Sequence, residues 1–274
     1  MKYWTEKNFV IAEQSILVKF DSFKYFYKVN RIINSLSSFM IEDSRIQGST
    51  NLLHISENQI LCSINDVEHK FCNIADTDVY IIVYLYIYSV LNECNIFGVH
   101  SVVLSKDDNC ILILGDFGSG KTTLSWELKR QGWEILSADQ SFVFFKNNQM
   151  YFYKGSNIAA YNGEYLTLCP KQIAEDIKIK NIIILKGLAD CGQVEFKRNK
   201  NINHAYKVMW RYMTWPWNTL LVGDFCQSDF LKNKYYCNLS NYLSRLNPIR
   251  FLEVRGDSKN ISILMNEILG RKYD

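Results

Sequence analysis

The chain has 274 residues, of which 48% are hydrophobic and 14% are aromatic, and its formal net charge is +3. This length and apolar content allow a substantial core in one large domain or two parts, so a disordered or fibrous chain is excluded. A charge this close to zero predicts no nucleic-acid partner.

The N-terminal part of the chain contains short segments with β-like composition. The clearest lie at residues 9–12, 15–20 and 59–64. Apolar and β-branched side chains dominate them, which is typical of strands. We predict a small β-rich N-terminal region over residues 1–75, followed by a catalytic domain over residues 76–274.

Cysteine usage and the N-terminus indicate a compartment. The eight cysteines are scattered without C-x-x-C pairs, so a structural zinc site is not expected. The first seven residues lack the basic-then-apolar order of a signal peptide. We therefore expect reduced thiols and a cytoplasmic location.

The longest apolar run extends from Val79 to Leu91. It is too short to span a bilayer, so no membrane partner is expected. The preceding segment, residues 76–78, reads Asp-Thr-Asp and offers good N-cap chemistry. This combination predicts a mostly buried helix.

A β-hairpin is predicted next. Residues 95–104 form one apolar run, residues 106–109 are typical of a turn, and residues 110–114 form a second apolar run. His100 lies within the first predicted strand. A lone histidine beside an apolar run is more often a core residue, so only its proximity to the next motif makes it a candidate.

Residues 115–122 read Gly-Asp-Phe-Gly-Ser-Gly-Lys-Thr, a complete phosphate-binding loop that follows directly on an apolar strand. Its amides can surround phosphate oxygens, Lys121 can reach the terminal phosphates, and the Thr122 hydroxyl can bind Mg²⁺. ATP and Mg²⁺ are the expected ligands. The predicted nucleotide-binding residues are Gly115, Asp116, Phe117, Gly118, Ser119, Gly120, Lys121, Thr122 and Thr123.

An acidic residue follows the next predicted strand. Residues 123–131 have helical spacing, Gly132 is a plausible stop, and residues 133–138 form a short apolar strand that ends at Asp139. Carboxyl ends of strands are where open α/β sheets bind ligands. Asp139 is therefore placed to meet a γ-phosphate and an incoming hydroxyl, although an Asx turn at a strand end is the structural alternative.

Together, these segments resemble the catalytic core of the HPr kinase/phosphorylase superfamily. They are more closely similar to the HPr-kinase-like kinases found with clusters for ribosomally made peptides, including lasso peptides. The similar block covers about residues 95–145. The resemblance implies an α/β fold with a P-loop core of the HPr kinase/PEP carboxykinase type and a serine hydroxyl as phosphate acceptor. Homo-oligomers are common in the superfamily.

The resemblance also implies residue roles. Asp139 matches the acid that contacts the acceptor hydroxyl and acts as base, and His100 matches the histidine near it. With Lys121, they are the predicted catalytic residues, and Thr122 and Asp139 are the predicted magnesium ligands. Gln140 departs from the family, which has a second acid at this position, and puts the reverse reaction in doubt. The family's later glycine-rich signature is not found, and the nearest acid, Glu164, is more typical of an exposed loop.

Later segments offer fewer candidates. Arg211 and Arg255 are the candidate arginine fingers, although solvated arginines are commoner. The aromatic segment 206–217 is typical of a buried helix, with a peptide groove as the alternative. Residues 182–185 predict a buried strand and residues 250–254 a last strand. A final helix is predicted over residues 257–269 with Ile261, Ile263, Leu264, Ile268 and Leu269 facing inward.

Other nucleotide-binding classes fit less well. The chain has no Asn-Lys-x-Asp guanine motif and no ABC-type signature. We expect an ATP-dependent kinase that phosphorylates a serine or threonine hydroxyl of a peptide or protein. A small-molecule kinase, for example one acting on a free amino acid, and a nucleotide-binding regulatory protein with reduced catalysis remain the alternatives.

Overall fold

A computed structural model describes residues 4–46, 48–107, 109–161, 164–168, 177–188, 194–199, 201–219, 229–247 and 249–270. Its strands are β1 (Glu6–Ile11), β2 (Gln14–Phe20), β3 (Met40–Glu42), β4 (Asn51–Ile55), β5 (Gln59–Ile64), β6 (Val67–Cys72), β7 (Ile96–Val99), β8 (Ser101–Lys106), β9 (Asn109–Leu114), β10 (Glu134–Ser137), β11 (Ser141–Lys146), β12 (Gln149–Gly155), β13 (Ile158–Tyr161), β14 (Glu164–Thr167), β15 (Ile177–Lys178), β16 (Asn181–Leu188), β17 (Glu195–Asn199) and β18 (Arg250–Gly256). Its helices are α1 (Phe26–Ser35), α2 (Asp78–Asn92), α3 (Lys121–Arg130), α4 (Ile202–Met213), α5 (Trp215–Thr219), α6 (Asp229–Ser244) and α7 (Ser258–Gly270).

The described residues divide into two compact units. The first comprises Met1–Phe97 with Thr214–Asn241, and the second comprises Gly98–Met213 with Tyr242–Asp274. The predicted boundary at residue 75 lies inside the first unit, because α2 and α5 also belong to it. The domain ranges given above stay a prediction.

The first unit is built on a six-stranded sheet in the order β3-β1-β2-β4-β5-β6. Only the β2–β4 pairing is parallel among the pairs described. In β2, Ile16, Val18 and Phe20 are buried and alternate with partly exposed residues, the pattern of a sheet with one face on a core. The strands predicted at 9–12, 15–20 and 59–64 correspond to β1, β2 and β5.

Helix α2 confirms the predicted helix over Val79–Leu91. Its side chains are buried almost all round, which explains the uninterrupted apolar run. The expected N-cap is wrong, because Thr77 makes no side-chain cap bond; instead the Asp78 carboxylate accepts a hydrogen bond of 3.3 Å from the Ala75 amide. No helix in the described ranges has both the length and the apolarity that a membrane span needs.

The second unit is built on a six-stranded sheet in the order β10-β8-β9-β16-β18-β17. Strands β9, β16 and β18 are parallel, and the flanking strands run antiparallel to their neighbours. Helices α3 and α7 pack together in a core shared with β8, β9, β16 and β18. The predicted α/β class is therefore confirmed.

The predicted strand over residues 95–104 is wrong in one respect. It is two strands, with a break at His100: β7 joins a four-stranded sheet in the order β15-β12-β11-β7, whereas β8 joins the six-stranded sheet. The hairpin between β8 and β9 is confirmed, from Ser101 opposite Leu114 to Lys106 opposite Asn109. Asp108, part of the predicted turn, lies outside the described residues.

The C-terminal elements follow their predictions closely. β16 is buried over residues 182–185, and β18 and α7 match the predicted last strand and helix. The inward face of α7 was predicted wrongly at Ile263, which is 43% exposed. Ile261, Met265 and Leu269 form the buried stripe, because a spacing of four keeps them on one side.

Two remaining predictions concern aromatic residues and cysteines. The segment 206–217 forms α4 and α5, and Trp215 and Trp217 are buried, as the buried-helix interpretation expected. The cysteines in the described ranges are free thiols. Three others, Cys169, Cys191 and Cys226, lie outside those ranges, as do Asn162 and Gly163 before Glu164.

Candidate functional site

Loop residues 115–120 lie at the carboxyl edge of the parallel strands. β9 pairs with β16 so that Leu114 lies opposite Ile184, and β16 pairs in turn with β18. This edge is where open α/β sheets bind ligands. The loop leads directly into α3, which begins at Lys121.

Two glycines are required by the shape of this loop. A Cβ on Gly115 would lie 2.4 Å from Ser119 Oγ and 3.0 Å from the carbonyl oxygen of Leu185. Gly120 has a φ of +91°, and a Cβ there would lie 2.3 Å from Leu188 Cδ1. A side chain at either position would distort the turn into α3, because the space is filled and a positive φ favours glycine.

The loop offers hydrogen-bond donors suited to an anion. The first amides of α3 have no acceptor within the helix, and the positive end of the helix dipole lies there. Ser119 Oγ is buried and has no hydrogen-bond partner among the described residues. A phosphate would supply acceptor oxygens for both, so the residues present fit the predicted nucleotide phosphates.

Lys121 is the buried cation of the site. Its Nζ donates to the carbonyl oxygens of Gly115 at 2.7 Å and Asp116 at 3.1 Å, and it lies 3.1 Å from His100 Nε2. Burial lowers the pKa of Lys121 to about 8, and the nearby carboxylates of Asp139 and Asp116 oppose that shift. The ammonium is therefore still largely protonated at pH 7.

His100 lies between β7 and β8 and is held on two sides. Its amide donates to the carbonyl oxygen of Tyr212 at 3.1 Å, and its ring stacks on Phe117 with centroids 4.4 Å apart. Burial, reinforced by the charge of Lys121, lowers the pKa of His100 to about 4, with Asp139 opposing the shift. The imidazole is neutral at pH 7.

The contacts of the neutral ring define its tautomer. Because the Lys121 ammonium can only donate, His100 Nε2 is the acceptor and the ring proton is on Nδ1. The side-chain nitrogen of Gln140 lies 3.3 Å from Nδ1. Asp139 Oδ1 is 3.6 Å from Nδ1, which is a charge interaction, and the ring also hydrogen-bonds to the backbone of Asp139.

A pH dependence of stability follows from His100. We expect the free energy of unfolding to decrease as the pH falls from about 6.5 to about 4, because the unfolded chain then takes up a proton that the folded chain does not. Urea unfolding across this range measures the change. A His100→Gln variant, which keeps an acceptor for Lys121, should lose part of the dependence. Identical pH profiles for both proteins would contradict it.

Gln140 is expected to control the charge of the ring. It is fully buried, so a Gln140→Glu variant would place a carboxylate beside Nδ1 and raise the pKa of His100. NMR titration of the His100 ring measures the shift, and Gln131→Glu, outside this cluster, is the control. An unchanged His100 midpoint in Gln140→Glu would show that the amide does not govern the ring.

Asp139 sits in a constrained turn after β10. Its φ is +68°, and the backbone N–H of Gln140 donates to the carbonyl oxygen of Ala138 at 2.8 Å, which closes a tight turn around Asp139. Two backbone hydrogen bonds to Ser156 hold this conformation. The Ala138 N–H donates to the Ser156 carbonyl oxygen at 3.1 Å, and the Ser156 N–H donates to the Gln140 carbonyl oxygen at 2.7 Å. The turn leaves the Asp139 carboxylate 48% exposed. Strained backbone that neighbouring contacts hold in place is typical of functional sites.

A second cluster involves the loop residue Asp116. Its Oδ1 accepts from the Arg211 guanidinium at 2.8 Å and from the Tyr212 hydroxyl at 3.1 Å. Burial, with a contribution from Asp116, raises the pKa of Tyr212 to about 12, so this hydroxyl stays protonated. The end of α4 therefore contacts both the loop and His100.

The structure brings some predicted residues together and not others. Lys121, His100 and Asp139 form one cluster beside the loop, and Arg211 joins it through Asp116. Glu164, the weak acidic candidate, begins β14 in a separate two-stranded sheet and is exposed, and Arg255 lies exposed on β18 opposite Glu195.

Three features of the site were not anticipated from sequence. Tyr212 was noted only as one member of an aromatic segment, Asp116 only as one of the predicted nucleotide-binding residues, and Gln140 only as a departure from the family. The sequence carries no signal for the contacts between Asp116 and the end of α4, because the residues that meet are far apart in the chain. Arg211 and Asp116 are separated by 95 positions.

The predicted magnesium ligands are Thr122, in the first turn of α3, and Asp139. Within the described ranges, no group of three or more His, Cys, Asp or Glu side chains is arranged to hold a metal ion. A hydroxyl, a single carboxylate and nucleotide phosphates are, however, a ligand set typical of Mg²⁺, which usually binds through few protein side chains.

Comparisons with known proteins add little to this geometry. No protein-family profile matches the chain, and no curated protein matches it. Among solved structures, the chain is similar to the Hpr(Ser) kinase/phosphatase from Coxiella burnetii, with 12% identity, a TM-score of 0.35, and coverage of 63% of this chain and 93% of the other. A similarity this low does not indicate a function, so the candidate site is defined by the contacts within this chain alone.

Proposed function

We propose that the chain is an ATP-dependent P-loop kinase of the HPr kinase/PEP carboxykinase type. It transfers the γ-phosphoryl group to a serine or threonine hydroxyl of a peptide or protein. The observation that carries this proposal is the cluster at the loop: the half-exposed Asp139 carboxylate lies 3.6 Å from His100, whose other ring nitrogen meets Lys121 at 3.1 Å.

The proposed reaction balances without a covalent intermediate. The acceptor hydroxyl oxygen forms a bond to the γ-phosphorus, and the bond from that phosphorus to its bridging oxygen breaks to leave ADP. Asp139 orients the hydroxyl and receives its proton. Catalysis of this kind depends on positioning and charge stabilisation.

Charge on the transferring phosphate would be stabilised from the loop side. Lys121 supplies an ammonium that is already desolvated, and the first amides of α3 supply donors. Thr122 and Asp139 would hold Mg²⁺, which when bound neutralises charge on the β- and γ-phosphates.

His100 acts as a positioning residue in this proposal. Its neutral ring accepts from Lys121 and directs Nδ1–H towards Asp139, so it links the cation that binds phosphate to the carboxylate that takes the proton. Gln140 contacts the ring without adding a charge.

The acceptor is proposed from the sequence resemblance and from the exposure of Asp139. A carboxylate with half its surface open can be reached by a side chain of a macromolecule. A ribosomally made precursor peptide encoded nearby is the first substrate to test, and we place the reaction in the cytoplasm.

Intact mass spectrometry tests the proposal. Serine-containing peptides, including the C-terminal segment of any precursor encoded beside this gene, are incubated with ATP and Mg²⁺. A gain of about 80 Da with the wild type that forms at least about 100-fold more slowly with Asp139→Asn supports a positioned base. A gain that forms at the wild-type rate in Asp139→Asn would refute Asp139 as the base.

The remaining outcomes separate the alternatives. If ATP binds and free serine or threonine is modified but no peptide is, the protein is a small-molecule kinase. If ATP binds and nothing is modified, a regulatory nucleotide-binding protein is favoured. Binding of a fluorescent ATP analogue, measured separately, distinguishes these from a chain that does not bind nucleotide.

A further inference from the structure

Helix α4 crosses the carboxyl edge of the parallel strands. Near its start, His204 Nε2 lies 2.7 Å from Glu253 on β18, and near its end Arg211 lies 2.8 Å from Asp116 in the loop after β9. Strand β16 lies between those two strands. The helix therefore extends along the edge at which the site lies and ends beside the phosphate-binding loop.

One face of α4 carries only basic or neutral groups. His204, Lys207 and Arg211 are spaced by three and four residues, which places them on the same side of a helix. Lys207 is exposed and forms no ion pair with a described residue. The helix contains no acidic residue, and the two acids that it contacts, Glu253 and Asp116, each lie in an ion pair with it.

Aromatic side chains flank this basic face. Tyr206 and Trp210 stack on each other with ring centroids 6.0 Å apart and planes 14° apart, and both are partly exposed. Aromatic rings of this kind provide contact area for a partner at little cost in conformational entropy. The surface formed by Tyr206, Lys207, Trp210 and Arg211 is called the α4 stripe below.

We propose that the α4 stripe docks the phosphate acceptor and selects an acidic peptide segment. This inference rests on the proposed kinase function. Carboxylates of the peptide pair with Lys207 and Arg211, and an apolar side chain of the peptide covers the stacked rings. The peptide backbone then continues towards Asp139. The Arg211–Asp116 pair is exposed on both sides, at 67% and 62%, so its solvated guanidinium can exchange partners readily.

Helix geometry predicts the spacing of the acidic residues. Lys207 and Arg211 are four residues apart, which corresponds to about 6 Å along a helix axis. In an extended peptide, residues two positions apart are about 6.6 Å apart and point to the same side. The selected segment therefore has two acidic residues separated by one other residue, as in Glu-Phe-Glu.

Direct binding tests this docking without requiring catalysis. The probes are a fluorescein-labelled Gly-Glu-Phe-Glu-Gly-Ser-Gly peptide and its Gln-Phe-Gln counterpart, measured by fluorescence anisotropy with the Asp139→Asn protein. We expect the acidic peptide to bind about tenfold more tightly than the neutral one, and salt to weaken it. Added Lys207→Glu should remove the preference, whereas Lys259→Glu, a matched exposed lysine on α7, should not.

Charge exchange and kinetics make the test specific. Peptides with a single exchanged charge, Lys-Phe-Glu and Glu-Phe-Lys, should recover binding to the Lys207→Glu protein, because the lysine pairs with the introduced carboxylate while the remaining glutamate pairs with Arg211. With wild type and ATP, Lys207→Glu should raise the KM for the acidic peptide while the KM for ATP stays within about twofold. Equal effects of Lys207→Glu and Lys259→Glu would overturn the proposal, and a change confined to the KM for ATP would assign the stripe to the phosphate donor instead.

The outcomes also separate docking from the kinase proposal. Phosphorylation of peptides without any dependence on acidic residues or on Lys207 would leave the kinase and remove the docking surface. Charge-dependent peptide binding without phosphorylation would leave the docking surface and remove the kinase.

Discussion

Replacing Asp139 with asparagine is expected to reduce kcat for peptide phosphorylation by about 10²–10⁴-fold, the usual contribution of a positioned base. The amide has the same shape but cannot accept the hydroxyl proton. Asparagine also tolerates the positive φ of 68° at this position, so the turn should be kept. Steady-state rates with the acidic peptide and titration of a fluorescent ATP analogue measure catalysis and binding separately.

A matched control is available for this substitution. Asp107 also has a positive φ, of 52°, and is exposed in the turn between β8 and β9. Asp107→Asn should leave kcat within about twofold of wild type, since surface substitutions of this kind have small effects. Near-normal kcat in Asp139→Asn together with weaker binding of the ATP analogue in the presence of Mg²⁺ would contradict the role of base and leave the carboxylate only as a magnesium ligand.

The local part of the site could be predicted from sequence because short-range signals define it. An apolar strand, a glycine-rich turn and a helical repeat are all contained in residues 111–130, and Gly132 ends α3 with a φ of +88°. Each of these features needs only neighbouring residues to form. The same holds for α2, whose apolar run is bounded by polar residues.

The break at His100 could not be predicted in this way. Residues 95–104 read as one apolar strand, yet β7 and β8 pair in different sheets. Which sheet a strand joins depends on partners far along the chain, such as β11 for one and β9 for the other. Because the break turns the chain at His100, it also determines where that ring lies.

The contacts around the loop depend on the same long-range packing. Arg211 contacts Asp116 only because α4 crosses the carboxyl edge of the sheet, and no local pattern records that crossing. The face of α7 shows a smaller failure of local reasoning. Ile263 is apolar but lies two positions from Ile261, so the two side chains cannot share one side of a helix.

Replacing Lys121 with methionine is expected to lower kcat/KM by about 10²–10³-fold, because a desolvated donor to the transferring phosphate is lost. Methionine retains much of the side-chain length, so the buried position stays filled. Lys129→Met, an exposed position on the same helix, is the control and should remain close to wild type. Near-normal kcat/KM in Lys121→Met would refute phosphate binding by this lysine.

The same variant tests the coupling between Lys121 and His100. The ammonium is the second largest cause of the low pKa of His100, so removing it should raise the NMR titration midpoint above about 4. The midpoint should stay below 6.5, because burial, the larger cause, remains.

In wild type, kcat/KM should fall as the pH rises through about 8, where Lys121 loses its charge, and Lys121→Arg should move that fall to higher pH. A shift of the alkaline limb without any change at His100 would mean that Lys121 acts on phosphate alone, whereas a shift of both would identify Lys121, His100 and Asp139 as one electrostatic unit.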